Sequence, residues 1–322
     1  MASLLWRGLL AAIASAFLAV PVAHAQDWPT KPVRMIVPIG VGSAPDVIAR
    51  LLADRLGAIW GQGVVVDNKP GAGGIPGMSA LANSSDGYTI AFVPAAMATV
   101  TPLVYKNPQF NIDTLQAAAT VGISPLMLVA PANAPFDNLA ELEKYAKAHP
   151  GKVNFGAAQL NSLPHLAGEM LSKAGGLGLF TVPYPTPPAA ITAALAGDVA
   201  VTCDGIPGVQ QHIKAGKLKA LGVTTANRVP GYDGIPAVAE TYPGYEAIGW
   251  FQVLVPASFP AARIEALNRD INAVLRQPDV VKQLNDLGVY PQQSTPASAR
   301  DFLAAQRLVM KKLVADLGLP QQ

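Results

Sequence analysis

The stretch Met35–Leu56, MIVPIGVGSAPDVIARLLADRL, decides the fold. It opens with a buried-strand pattern, Met35–Val37. A Gly/Pro loop follows at Pro38–Gly42, and then a helix. Ser43-Ala44-Pro45-Asp46 fits the S-x-x-D capping pattern, with Pro45 in the first turn, where a missing N–H costs nothing. Val47, Ile48, Leu51, Leu52 and Leu56 then recur at helical spacing and predict the buried stripe. A glycine loop that feeds a helix N-terminus offers backbone N–H groups and a positive dipole end to an anion. The same residues also suit an ordinary strand-to-helix turn.

Working outward, Val33–Val37 is the first strand and Val64–Asp67 the second. The loop Asn68–Gly74 opens a helix over Ile75–Ala82, and Asp86-Gly87 turns into a third strand, Tyr88–Val93. Strand and helix alternate over about sixty residues, the pattern of a parallel sheet with helices packed on it. A second α/β unit starts after two strand-like runs, Ala117–Val121 and Leu126–Ala130. The junction between them, Gly122–Pro125, reads as an interdomain crossing. The second unit carries a helix capped by Asp137 and then strands at Val153–Ala157, Phe180–Tyr184, Val199–Cys203 and Leu218–Thr224, with helices between them. Gly249–Pro256 is apolar enough to cross back. The remainder is helical, ending in a helix from Thr295-Pro296 to Leu317 with a predicted stripe of Phe302, Leu308, Val309, Leu313 and Leu317.

Residues 1–25 read as a secretory signal peptide: Arg7, an apolar run from Leu9 to Val22, and Ala23-His24-Ala25 as the cleavage site. The formal net charge is +2, and +1 without Arg7, which speaks against nucleic-acid binding and against a polybasic membrane patch. Cys203 is the only cysteine and lies in an apolar strand, so it reads as an inert buried thiol in an exported chain without disulfides. The spacing of His149, His165 and His212 offers no metal-ligand pattern, and no cofactor is expected.

Five loops follow predicted strand ends, at Pro38–Ser43, Pro94–Thr99, Ala158–Leu163, Tyr184–Pro187 and Asp204–Gly208. A ligand between two lobes meets all of them, and domain interfaces favour small-molecule sites. Their donors are mild and none is Arg or Lys, so a carboxylate there is held by neutral donors, helix dipoles and bridging waters. Asn161 and Ser162 serve equally well as caps for the following helix. Asp46 either reads a ligand ammonium group or closes the capping box. Ser162, His165 and Asp204 allow a nucleophilic triad on paper, but no G-x-S-x-G turn surrounds Ser162.

A set of short motifs runs through nearly the whole chain in fixed order. It comprises Trp28-Pro29-Thr30-Lys31-Pro32-Val33-Arg34, Val37-Pro38 with Asp46 eight residues on, Asp67-Asn68-Lys69-Pro70-Gly71-Ala72-Gly73-Gly74, Asp86-Gly87-Tyr88-Thr89 and His149-Pro150-Gly151-Lys152. Pro164-His165-Leu166-Ala167-Gly168-Glu169, Val182-Pro183-Tyr184, His212–Leu218 and Pro243-Gly244-Tyr245-Glu246 complete it. This set resembles the periplasmic solute-binding proteins of tripartite tricarboxylate transporters, the Bug proteins. The resemblance implies an α/β Venus flytrap of two lobes, the second inserted into the first, with lobe 1 at 26–125 and 251–322 and lobe 2 at 126–250. It implies a monomer that binds a small organic carboxylate (a dicarboxylate, an amino acid or an aromatic acid) and hands it to integral membrane transporter subunits. A ligand sensor that signals without transport is the alternative. Carried over, the candidate ligand residues are Ile39, Gly40, Val41, Gly42, Ser43 and Asp46, then Ala95, Ala96 and Thr99, then Gln159, Asn161, Ser162, Tyr184 and Asp204. The first loop departs from the family pattern. It lacks the aromatic residue before its proline position, and Ser43 replaces the second glycine, so the resemblance carries no ligand identity.

Overall fold

The structure is a computed structural model and describes residues 28–158 and 162–317. The signal-peptide reading at 1–25, and Gln159 and Asn161, lie outside the described residues.

The first unit forms as its pattern predicts. β1 (Val33–Val37), α1 (Ala44–Trp60), β2 (Val64–Asn68), α2 (Ile75–Ala82) and β3 (Thr89–Pro94) follow one another. The buried face of α1 is Ile48, Ala49, Leu52, Ala53 and Leu56, so the stripe is turned by one residue from the expected one. Val47 is 46% exposed, and Ala49 and Ala53 take the buried side in its place. Beyond β3, the segment expected as a loop is a short helix, α3 (Ala95–Thr99), followed by α4 (Thr101–Val104).

The two strand-like runs around Gly122–Pro125 are one strand, β4 (Leu115–Pro131). Glycine at 122 lets it run through, since a Cβ there would lie 2.6 Å from the Tyr290 carbonyl oxygen. After β4 come α5 (Leu139–Ala148), β5 (Asn154–Ala158), α6 (Leu163–Gly175), β6 (Phe180–Tyr184), α7 (Pro187–Ala196), β7 (Val201–Gly205), α8 (Ile206–Lys214) and β8 (Leu218–Val223). The cap of α5 is Asn138, which accepts the Glu141 N–H, rather than Asp137. A short α9 (Val238–Thr241) precedes β9 (Ile248–Pro256). Then come α10 (Ala261–Leu275), α11 (Pro278–Asp286), β10 (Tyr290–Pro291) and α12 (Pro296–Leu317). On α12 the buried residues include Pro296, Ala299, Leu303, Gln306 and Leu313, while Leu308 is 70% exposed. The expected stripe is therefore wrong at Leu308 and Val309.

The sheet order is β2-β1-β3-β9-β4-β7-β5-β6, with β8 and β10 also paired to β4. β4 belongs to both halves: Leu115–Pro125 pairs with β9, and Leu126–Val129 with β7. Directions follow from the pairings. β1, β2 and β3 are parallel to one another and β3 is antiparallel to β9, itself antiparallel to β4. The first three strands therefore run with β4, toward the second half. β7 is antiparallel to β4, and β5 and β6 are parallel to it, so these run toward the first half. Each half is covered by apolar side chains on both faces. This is the two-lobed periplasmic binding protein fold, with the second lobe inserted into the first.

Candidate functional site

Opposed strand directions make the C-terminal ends of both lobes converge on the crossing. Pro94, the end of β3, is level with Phe251, which is level with Gly122 on β4. Gly205, the end of β7, is level with Leu126. Four residues of β4 separate the two levels, about 13 Å at a strand's rise. Ligands of open α/β sheets collect at such ends. Between them the floor is Ser124 paired with Gly249, and Leu163 at the start of α6 stands over it, 3.6 Å from where a Cβ on Gly249 would lie.

In the first lobe, the loop after β1 is shaped from within. Gly42 takes a left-handed φ of +81° and donates its N–H to Asp46 Oδ2 at 2.8 Å. Arg50 Nε donates to the same oxygen at 3.0 Å, and Asn68 Nδ2 donates to Oδ1 at 2.8 Å and to the Ile39 carbonyl at 3.1 Å. Asp46 is 1% exposed. Burial pushes its carboxyl up, but the bonds from Arg50, Gly42 and Asn68 outweigh this and hold it below the usual carboxylate range. Asp46 therefore does not close the expected capping box, and both its oxygens have partners within the loop and its neighbours. Ser43 donates its hydroxyl back to the Gly40 carbonyl at 2.8 Å, and α1 begins without a side-chain cap. Gly40, Val41 and Gly42 form the exposed tip, with Val41 73% exposed.

Ala95 is half-buried and Ala96 exposed in the first turn of α3. Thr99 is buried and donates to the Ala95 carbonyl at 2.8 Å, so its hydroxyl is spent inside the helix. The glycine run after β2 is needed for close approach. A Cβ on Gly77 would lie 2.7 Å from Pro38 Cβ, and one on Gly74 would lie 2.8 Å from Met97 Sδ.

In the second lobe, Ala158 pairs with Tyr184, and β5 pairs with β7 at Phe155–Val201 and Gly156–Thr202. Ser162 caps α6, accepting the His165 N–H at 3.4 Å and donating to the Ala158 carbonyl. His165 lies with Nε2 3.5 Å from Glu169 Oε1, and Glu169 also accepts from Thr181 at 2.6 Å. Burial lowers the His165 ring against a raising influence from Glu169. Cys203 is buried and its thiol is pushed up by that burial. Asp204 is half-buried; burial raises its carboxyl, opposed by the Gly205 N–H.

Three residues had no signal strong enough to single them out as contributors to the site. Asn68 lies twenty-two positions from Asp46 and is seen to brace the loop only when β2 is placed beside β1. Arg50 and Gly208 likewise take meaning only from what they touch.

The model for the tripartite tricarboxylate transporter family receptor matches residues 48–319. The chain belongs to that family. The receptor is 36% identical to Protein BugT of Bordetella pertussis over 91% of this chain and 90% of that protein. Among solved structures it is similar to R. palustris Rpa4515 with adipate, at 29% identity and a TM-score of 0.72, covering 92% of this chain and 100% of the other. It is also similar to the periplasmic binding protein BugD, at 31% identity and a TM-score of 0.68, with the same coverage. A TctC solute-binding protein from Polaromonas, 22% identical, shares the fold with a TM-score of 0.81, covering 90% of this chain and 99% of that one. The receptor is thus a periplasmic solute-binding protein, and among its described residues no helix is long and apolar enough to cross a membrane.

Proposed function

We propose that the receptor captures a small organic carboxylate between its lobes and delivers it to the membrane subunits of a tripartite tricarboxylate-type transporter. The observation that carries this is the convergence of strand ends from both lobes, with α1 and α8 each starting without a side-chain cap beside the crossing. Free N–H groups at helix starts and a braced glycine loop suit a carboxylate without Arg or Lys. The likeness to Rpa4515, described with adipate, supports the same class. We take the lobes as 26–125 with 251–322, and 126–250. The polypeptide acts as a monomer after removal of residues 1–25. Ile39–Ser43, Ala95 and Ala96 contribute from one side, and Gln159, Asn161, Ser162, Tyr184 and Asp204 from the other. Asp46 and Thr99 act by holding their elements in shape. Closure links affinity to conformation, because contacts to both lobes exist only when the lobes meet.

A thermal-shift and calorimetric screen of mono-, di- and tricarboxylates, amino acids and aromatic acids tests this. One acid binding 1:1 and raising the melting temperature is expected. No response across the panel overturns the reading. Delivery is tested by deleting the gene and measuring uptake of the acid found.

A further inference from the structure

The last helix reaches from one lobe to the other. α12 has 22 residues, about 33 Å at a helical rise. Its start is built into the first lobe. The Thr120 N–H donates to Ser294 Oγ just before the helix, Gln252 Nε2 donates to the Ala299 carbonyl at 2.9 Å, and Leu303 packs in a first-lobe core. Arg307 Nη1 donates to Asp113 Oδ1 at 2.8 Å, a further anchor on the same lobe. Other residues of the helix meet the second lobe. Gln306, 8% exposed, donates to Glu246 Oε2 at 3.2 Å, and Lys173 Nζ on α6 donates to Asp316 Oδ2 at 2.5 Å. These two footholds sit on one body, because Tyr245, beside Glu246, donates its hydroxyl to the Ala167 carbonyl of α6 at 2.9 Å. The opposite end of α6 is the Ser162 cap, at the ligand cleft.

Two observations say what these ties act on. A cavity of about 200 Å³ lies beside the Glu246 foothold, lined by Ile123, Gln292 and Phe302 from the first lobe and by Asn227 and Glu246 from the second. Close-packed interiors lack such gaps, so this seam between the lobes has room to shift. The mouth loops, by contrast, do not hold the lobes together. Among the described residues no hydrogen bond or ion pair joins 38–43 or 95–99 to 162–163, 184–187 or 204–208, and Val41, Ala96 and Thr186 are exposed. The lobes therefore stand apart at the mouth, and the α12 ties belong to that arrangement.

We infer that α12 is a restraint on lobe closure: Gln306–Glu246 and Lys173–Asp316 hold the second lobe in the open arrangement and must be broken or remade when the lobes meet on a ligand. This rests on closure as proposed above, but not on which acid drives it. Such ties weaken every ligand alike, because they lower the population of the closed, binding-competent state.

The test uses the mature chain, unfolded and refolded to remove any bound acid. Lys173→Met with Gln306→Met cuts both ties at nearly constant side-chain volume. Arg307→Met cuts the ion pair to Asp113 within the first lobe and controls for damage to the helix itself. In calorimetry with adipate, succinate and butyrate, the double variant is expected to bind each acid that the parent binds about five- to tenfold tighter, by one common factor. That is the worth of one hydrogen bond to a charged group and one exposed ion pair. Arg307→Met is expected to stay within about twofold of the parent. Small-angle X-ray scattering without ligand is expected to give the double variant a smaller radius of gyration than the parent, and Arg307→Met the parent's value. If circular dichroism shows the double variant misfolded, Lys173→Met alone carries the test. About twofold tightening is then expected, with the exchanged pair Lys173→Asp and Asp316→Lys restoring the parent affinity. An unchanged radius of gyration, weaker binding, or a gain confined to one acid overturns the inference. The scattering needs no acid, so failure of every acid to bind overturns the carboxylate reading while the restraint is still decided.

Discussion

The two lobes each bring an aspartate to the mouth of the crossing, and they use it in opposite ways. Asp46 in the first lobe is fully buried and spends its oxygens on Gly42, Arg50 and Asn68. Asp204 in the second is half-buried, and its described contact is one neighbouring N–H. Burial acts on both carboxyls in the same direction, yet the net results differ in sign: Asp46 is lowered and Asp204 raised. The difference teaches that position at a strand end does not make a charge available to a ligand. The number of internal partners does.

Removing the internally bonded carboxylate breaks the comparison most severely. Asp46→Ala orphans the Gly42 N–H and frees Arg50 and Asn68, and it is expected to cost about 2–3 kcal/mol. Urea denaturation reads this as a lower midpoint with an unchanged slope. Because the loop loses its brace, affinity for every acid is expected to fall together. Loss of affinity for one class of acid alone would mean that Asp46 reads the ligand directly.

The same contrast predicts opposite pH profiles. Both carboxyls start from an ordinary value of 3.8. For Asp46 the folded value is lower, so the stability it supplies is present above 3.8 and lost as pH falls toward the folded value, where only the unfolded chain has taken up a proton. For Asp204 the folded value is higher, so its contribution is fully present below 3.8. It is lost as pH rises through the folded value, because the unfolded chain has released a proton that the fold retains. Unfolding free energies measured from pH 3 to pH 7 should therefore show Asp46→Asn losing ground to the parent as pH rises, and Asp204→Asn gaining it. Parallel profiles would mean that the two environments are alike.

Much of this frame was legible in the chain. The β1-α1-β2-α2-β3 order and most boundaries follow from apolar periodicity and from Gly/Pro punctuation. Periodicity misled where alanine carries the packing: Ala49 and Ala53 are silent in an apolar count, so the α1 face was read one residue off. On α12, Gln306 is buried because it reaches Glu246 at 3.2 Å, a pairing across sixty residues that no local pattern contains. β4 was split in two because Gly122, Ser124 and Pro125 look like a turn. Their pairing with Pro291, Gly249 and Ile248 holds them in the strand. The candidate loops were found from strand ends, but which of their polar groups are already engaged depends on contacts between distant segments.

The smallest effects come from the serines that precede the first helix of each mouth. Ser162 accepts the His165 N–H as a true cap, whereas Ser43 only donates back to Gly40 within its own loop. Ser162→Ala is expected to cost about 1 kcal/mol, the usual worth of a helix cap. Ser43→Ala forfeits one hydrogen bond from a half-buried hydroxyl, and its carbonyl partner lies on the exposed tip, where water can replace the donor. About 0.5 kcal/mol is expected there, with the loop's geometry kept by Asp46. Thermal melts of the two variants beside the parent rank them. Should Ser43→Ala prove the more damaging, the hydroxyl and not the Asp46 network would be what holds the first-lobe loop, and the contrast between the two aspartates would lose its structural basis.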